Sequence, residues 1–433
     1  MSASKTTKSL YRIFSGKPTS TPTPRSTKPS TTPCSTKSST TPPRNTKTSK
    51  PSSTKPAIPR SITKATPRKP THYIIAQSLL DERNLTKFVE NFKTLSDTPD
   101  FRSRSRQRIY EIAVLRLASA ERYSLIEEVL QHQKKYDNIT SESFAKRLIC
   151  LYGKAGMFDH AFKLFDELPQ LNCQRTLLSF NALLRACVAS KLFNKVEELF
   201  REMPLKLSIS PDVATYNIVI QALCKMGSFD SAESMLAEME SNGVTPSLIT
   251  FNTIMHAFYF NGRFSDGERI WATMEKSGIA PDIVSYNGKM QGLLLNGGKI
   301  SEAVELFKEL HSSKVKPNYI SYNFLIRAYC NDGNLEAAIR TYNRLLKNGY
   351  IPNQTTLEKL IPSICEKGDI DHARKICEEN VSVNCYISVG TLQTVVDGLV
   401  EALRTEEAEK LVKLATSKMY AYYSQVKMPT EDK

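Results

Sequence analysis

The chain has 433 residues, 40% of them hydrophobic, and carries 59 Lys or Arg against 44 Asp or Glu. Such a length suits two or three globular domains or one long repeat array, and no apolar run approaches the roughly 18 residues of a membrane-spanning helix. The basic excess is confined to one end: residues 1–70 hold 15 Lys or Arg and no acid, leaving 44 basic and 44 acidic residues in the rest. Bulk charge therefore says little about what the body binds, and any RNA affinity there must come from a local basic face plus base contacts.

The first sixteen residues interleave Lys5, Lys8 and Arg12 with Leu10, Tyr11, Ile13 and Phe14. Leu10 and Phe14 are four apart and share a face on a helix, beside the cations. An acid-free amphipathic start of this kind predicts a mitochondrial or chloroplast transit peptide, with mitochondrion preferred, and it lacks the continuous apolar core of a secretory signal. From residue 17 to about 70 the chain is dominated by Ser, Thr, Pro and Lys. It cannot bury enough apolar surface to offset its ordering entropy, so a disordered linker is expected. The alternative is an uncleaved basic arm that touches RNA non-specifically.

Residues 71–105 read as a degenerate helical pair and 106–140 as a weaker unit of a pattern that becomes plain downstream. Phe180-Asn181, Tyr216-Asn217, Phe251-Asn252, Tyr286-Asn287 and Tyr322-Asn323 recur with Asn spacings of 36, 35, 35 and 36. The longer steps have candidate causes between Pro204 and Ser210 and at Gly297-Gly298. Each unit opens on an extended Pro-containing entry such as Pro211-Asp212 and continues through two amphipathic stretches. Gly227 and Gly243 are expected to end two helices in left-handed backbone, and Ser265 with Glu268 is expected to box a second-helix start. The units are 141–176, 177–212, 213–247, 248–282, 283–318, 319–353 and 354–388, and residues 389–433 are expected to form polar capping helices and a tail. One such hairpin cannot cover its own apolar face, so neighbours must stack: an all-α solenoid whose inner groove is lined by first helices.

Nine Cys without a C-x-x-C pair predict free thiols in a reducing compartment. Cys224, Cys330 and Cys365 share one repeat position, a small-residue packing site rather than a metal site. The six His (His72, His132, His160, His256, His311, His372) form no ligand cluster in sequence. His-x-Glu with Cys-x-x-Cys, His-Glu-x-x-His, Gly-x-Ser-x-Gly and a phosphate loop are all missing, so no enzyme, metal or cofactor is predicted. Glu401, Glu406 and Glu407 read as solvated helix surface and Trp271 as core.

A 35-residue hairpin opening Pro-Asp-Val-x-Thr-Tyr-Asn and continuing x-Leu-Cys-Lys-x-Gly resembles the pentatricopeptide repeat family, P-class, over 141–388 and more weakly over 71–423. The resemblance implies a right-handed superhelix in which the fifth and last residues of a unit read one RNA base. Carried over by position, the readers are Asn181 with Asp212, Asn217 with Ser247, Asn252 with Asp282, Asn287 with Asn318, and Asn323 with Asn353. The implied preference is a pyrimidine run, roughly U-C-U-C-C, with Leu178, Ala214, Ile249, Val284 and Ile320 wedged between bases. The flanking units carry Ala145 with Thr176 and Glu358 with Ser388, which fit no useful code. Leu151 to His160, Arg175 to Leu184 and Glu202-Met203-Pro204 resemble short plant organellar members of the family, some of them ribosome-associated in mitochondria. That implies rRNA or an organellar transcript, and ribosomal proteins, as partners. A free transcript-stability or translation factor and an RNA-independent protein scaffold stay open as alternatives.

Overall fold

A computed structural model describes residue 79, residues 81–99, 101–102, 107–383, 385–419 and residue 426. All of these belong to the second of two compact units, residues 69–433. The expectations for residues 1–70 lie outside the described residues, as do those for most of 71–84 and for the chain beyond 419 save residue 426.

Among the described residues the α-helices are α1 (Leu85–Ser96), α2 (Gln107–Ser119), α3 (Tyr123–His132), α4 (Glu142–Lys154), α5 (Phe158–Glu167), α6 (Leu177–Ala189) and α7 (Phe193–Leu207). They continue as α8 (Val213–Met226), α9 (Phe229–Ser241), α10 (Leu248–Phe260), α11 (Phe264–Lys276), α12 (Ile283–Leu295) and α13 (Ile300–Ser312). The series ends with α14 (Tyr319–Asn331), α15 (Leu335–Lys347), α16 (Gln354–Glu366), α17 (Ile370–Ser382), α18 (Val389–Glu401) and α19 (Thr405–Met419). Two short 3-10 turns fill the gap between α3 and α4, and no described residue lies in a strand.

The even-numbered helices are the first helices of the hairpins. Each from α2 to α16 packs on the next even helix, while the odd helices of the middle units mainly touch the even helices on either side of them. This is the contact pattern of an α-solenoid, with the first helices as its tighter layer. One close approach has a visible cause at Gly153, where a Cβ would stand 2.5 Å from the Ala186 Cα, so α4 and α6 meet almost backbone to backbone.

A single core cluster runs from Leu79 to Val426. Each unit supplies several fully buried aliphatic residues, such as Val219 and Ile220 in α8, each stabilising the stack by about 2 kcal/mol. An aromatic pair repeats at the seam between units. Phe200 meets Tyr216, Trp271 meets Tyr286 and Phe307 meets Tyr322 edge to face, with ring centroids 5.3, 5.4 and 5.1 Å apart. Trp271 is buried there, as a core residue should be.

The glycine stops behave as the sequence predicts: Gly227 (φ 81°) and Gly243 (φ 73°) are left-handed. The 36-residue steps are absorbed in two different ways. After Pro204 the helix simply runs on, so that α7 has 15 residues and closes on a left-handed Ser208. At the other step Gly297 and Gly298 are both left-handed, and the extra residue sits in the turn.

One expectation fails. Ser265 and Glu268 do not form a capping box, because α11 already begins at Phe264 with Arg263 as its cap and no side-chain cap bond. The three-residue turn is closed instead by the Arg263 N–H donating to the Phe258 carbonyl at 3.0 Å. Glu268 is then free to accept from the Tyr259 hydroxyl at 2.6 Å and from Lys289 at 2.7 Å.

Helix caps also locate the ends of the array. Ser141 is the N-cap of α4, so counted from the cap that unit begins at Glu142. Lys146 takes the fifth place given above to Ala145, which is fully buried. At the far end Ser388 caps α18, and Leu392, Val395, Val396 and Leu399 are fully buried, so α18 and α19 continue the stack in phase.

Candidate nucleic-acid interface

The start of each first helix is built from its cap. Asp212, Ser247, Asp282 and Asn318 accept the backbone N–H of Thr215, Thr250, Ser285 and Ser321, whose hydroxyls in turn accept the cap's own N–H. These capping boxes satisfy otherwise orphaned helix-end donors. They also set the last residue of one unit and the third of the next beside the preceding unit's fifth residue.

In three units the fifth-position asparagine is bonded into that box. Asn181 Nδ2 donates to Asp212 Oδ1 at 3.2 Å, while the Thr215 hydroxyl donates to Asn181 Oδ1 at 2.8 Å. Asn252 repeats the arrangement with Asp282 at 3.2 Å and Ser285 at 2.7 Å, and Asn287 with Asn318 at 3.2 Å and Ser321 at 2.7 Å. Each of these asparagines is a latch between consecutive units. Two of them are deeply set, with Asn252 8% and Asn287 2% exposed.

The other two asparagines are not latched. Ser247 is too short to take the place of an aspartate, and its Oγ pairs with Thr250 Oγ1 at 3.0 Å. Asn217 Oδ1 is left buried with no hydrogen-bond partner. At the next such junction Asn353 Oδ1 is occupied by the Thr356 N–H at 2.9 Å and the Thr355 hydroxyl at 3.1 Å. Asn323, 2% exposed, keeps both its Oδ1 and its Nδ2 without a partner, as does Thr356 Oγ1.

The five wedge positions lie at the start of the same helices. Ile249 is 67% and Val284 42% exposed, large apolar side chains left open without a partner element, and Leu178, Ala214 and Ile320 are half-buried. The first helices of the middle units lack acids in a way that bulk composition hides, while the second helices are mixed, α15 carrying Arg340, Arg344 and Lys347 against Glu336. The helices α6, α8, α10, α12 and α14 contain no Asp or Glu and carry Arg185, Lys225, Lys289 and Arg327. The second helix α9 alone holds Asp230, Glu233, Glu238 and Glu240 without a Lys or Arg. Lys289 is partly neutralised by Glu268.

Ionisation follows local bonding. Burial pushes the Asp212 carboxyl up, but donation from the Thr215 backbone and hydroxyl, from Asn181 and from the Ala214 backbone outweighs it, holding the group below the ordinary carboxylate range. Glu142 behaves alike: burial raises it, and bonds from the hydroxyls and N–H groups of Ser179 and Thr176 lower it further. Its carboxylate accepts the Thr176 and Ser179 N–H groups at 2.8 and 3.0 Å and so caps α6 from the neighbouring unit. Burial pushes the Cys224 thiol up to about 12 and those of Cys330 and Cys365 up to about 11, which keeps them as packing thiols at neutral pH.

The partner hydroxyls Thr215, Ser285 and Ser321 and the capping role of Glu142 are absent from the sequence reading. A Ser or Thr two residues before every reader Asn was visible, but its bond to the previous unit was not. Models of the PPR repeat family match residues 175–225, 211–258, 246–295 and 317–365, and a PPR repeat model matches 146–173. This chain is a PPR repeat protein. It is 49% identical over 164 residues to the Arabidopsis thaliana small ribosomal subunit protein mS79 (rPPR3b), an alignment covering 38% of this PPR chain and 41% of that one. It is 33% identical over 223 residues to the Arabidopsis thaliana pentatricopeptide repeat-containing protein At2g18520, mitochondrial, covering 51% of this chain and 52% of the other. The chain thus spans about two-fifths of the length of mS79 and about half of At2g18520. A solved structure, the pentatricopeptide repeat protein PPR10 from maize, superposes with a TM-score of 0.45 at 18% identity, over 83% of this chain and 60% of that one. Among the described residues no helix is long and apolar enough to cross a membrane.

Proposed function

We propose that the first-helix layer holds a segment of RNA, and that the protein acts in mitochondria as a ribosome-associated component contacting rRNA and ribosomal proteins. The observation that carries the RNA reading is the run of five first helices without a carboxylate, bearing four cations and open apolar residues at the wedge positions. Such a surface attracts phosphate and offers apolar edges for stacking, although the body as a whole is neutral. The ribosomal part rests on similarity to chains named as small ribosomal subunit proteins. It also suits the latches, because three of the five asparagines already hold repeats together, as a clamp requires more than a free reader of transcripts does. No catalytic step is proposed.

The test is sedimentation of tagged protein from mitochondrial lysate, with and without magnesium chelation and RNase. Co-migration with a ribosomal subunit is expected. Slow RNase-sensitive particles away from ribosomes would instead identify a transcript-specific stability or translation factor, and RNase-insensitive complexes a protein scaffold.

A further inference from the structure

The extra residue at Gly297-Gly298 sits beside an open groove. The turn from α12 to α13 has four residues, where those from α10 to α11 and from α14 to α15 have three. Next to it α11, α12 and α13 enclose a groove of about 860 Å³, room for several side chains. Phe264, Leu293 and Leu306 give it an apolar floor, and Ser301, Glu302, Glu305 and Glu309 on its α13 wall are exposed. The three glutamates are spaced three and four apart and so share one face of α13, while Glu268 stands on the α11 side. Four carboxylates thus line the groove against two ammonium groups, Lys289 and Lys308. Lys289 is held by Glu268 at 2.7 Å. Lys308 with Glu305 at 2.7 Å and Lys299 with Glu302 at 3.1 Å are exposed pairs, weak enough for an incoming cation to replace. Glu309 accepts from the Tyr286 hydroxyl at 3.2 Å and forms no ion pair among the described residues. The other 36-residue step opens a smaller groove of about 340 Å³ beside Pro204, where Arg201 bonds Glu238 across the lining at 2.7 Å. There the charge is met from within the chain.

We propose that the groove between α11 and α13 docks a Lys- or Arg-rich segment of a partner protein, held extended with its cations toward α13 and its apolar residues on the floor. Charge complementarity selects this occupant, since the same carboxylates repel phosphate and exclude a second RNA path on this side. The spacing also fits. Residues on one side of an extended chain recur about every 6.6 Å, and Glu305 and Glu309 are about 6 Å apart along the helix axis. The inference rests on the reading above for the kind of partner, a protein, and adds the surface that meets it.

The experiment uses the full chain and a fluorescein-labelled peptide of about ten residues in which Arg and Val alternate, long enough to run the length of α13. Its binding is followed by anisotropy, beside a control peptide with Glu for Arg. The Arg peptide should bind and the Glu peptide should not. Glu305→Lys with Glu309→Lys should weaken binding by about tenfold or more. Glu240→Lys with Glu366→Lys makes the same change of charge on exposed residues of α9 and α16 and should weaken it by less than about twofold, which separates the groove from bulk attraction. Ser301→Trp fills the groove without changing its charge and should also abolish binding. Equal weakening by the two charge reversals, binding that survives Ser301→Trp, or no binding of the Arg peptide to the unaltered chain each overturns the proposal. The assay contains no RNA and no ribosome, so its failure leaves the RNA reading standing, and peptide binding without ribosome co-migration would leave the groove but remove the ribosomal setting.

Discussion

Asn287 and Asn323 occupy the same place in adjacent units, share 2% exposure, and should respond oppositely to removal of the side-chain amide. Asn287→Ala deletes two hydrogen bonds, to Ser321 at 2.7 Å and from Nδ2 to Asn318 at 3.2 Å. At a net worth of about 1 kcal/mol each the loss is about 2 kcal/mol. The Ser321 hydroxyl can fall back on Asn318 Oδ1, 3.3 Å away, which returns part of it. Asn323→Ala deletes no hydrogen bond and relieves two buried polar atoms of an unmet desolvation cost of about 1–3 kcal/mol. That relief is set against the small cavity left behind. The expected change is near zero or stabilising. Because a solenoid opens unit by unit, the assay should be local: native-state hydrogen exchange of the amides at the starts of α14 and α16. A loss of about 1.4 kcal/mol appears as a tenfold rise in exchange rate. The α14 start should exchange about tenfold faster in Asn287→Ala, with the α16 start unchanged or slower in Asn323→Ala. Equal acceleration in both variants would refute the distinction between latched and open asparagines.

Four further outcomes follow from the structure. Glu142→Ala strips the acceptor from two N–H groups at the start of α6, so local stability there should drop by about 1–3 kcal/mol, read by hydrogen exchange at Thr176 and Ser179. Asp212 and Glu142 both titrate below their ordinary values of 3.8 and 4.5. Their stabilisation is complete above those values and is lost as pH falls through the lower folded ones, so the α6 and α8 starts should loosen below about pH 4 while staying intact between pH 5 and 8. A Cβ at Gly288 would stand 2.1 Å from His256 Nε2, itself 3.1 Å from the Val284 carbonyl. Gly288→Ala should cost about 1–3 kcal/mol in a denaturant titration, and His256→Ala combined with it should cost less than the sum of the singles. For the inner face, replacing Arg185 and Arg327 with Gln should lower the slope of log affinity against log salt for single-stranded RNA by about 1.4, at roughly 0.7 per phosphate contact. An unchanged slope would remove these two side chains from the phosphate path.

The register of this protein was legible in its sequence because a repeat writes the same local requirement many times. The aromatic–Asn pairs and the glycine stops each answer to backbone geometry within one turn of helix, and they placed the hairpins of the array. The Ser265–Glu268 box was misread for a related reason: a capping pattern states what a helix start could use, but the tight turn from α10 had already begun the helix at Phe264. What only the tertiary structure decided lies between repeats. Whether Asn252 or Asn323 is bonded depends on the reach and dihedrals of a cap some thirty residues away, and on which hydroxyl that cap has claimed. The run of five neighbouring first helices without Asp or Glu likewise becomes a surface only once first helices are stacked on first helices, because along the chain second helices such as α9 set acids between them. Local geometry is fixed by neighbours in sequence, but hydrogen-bond saturation and surface potential are sums over neighbours in space.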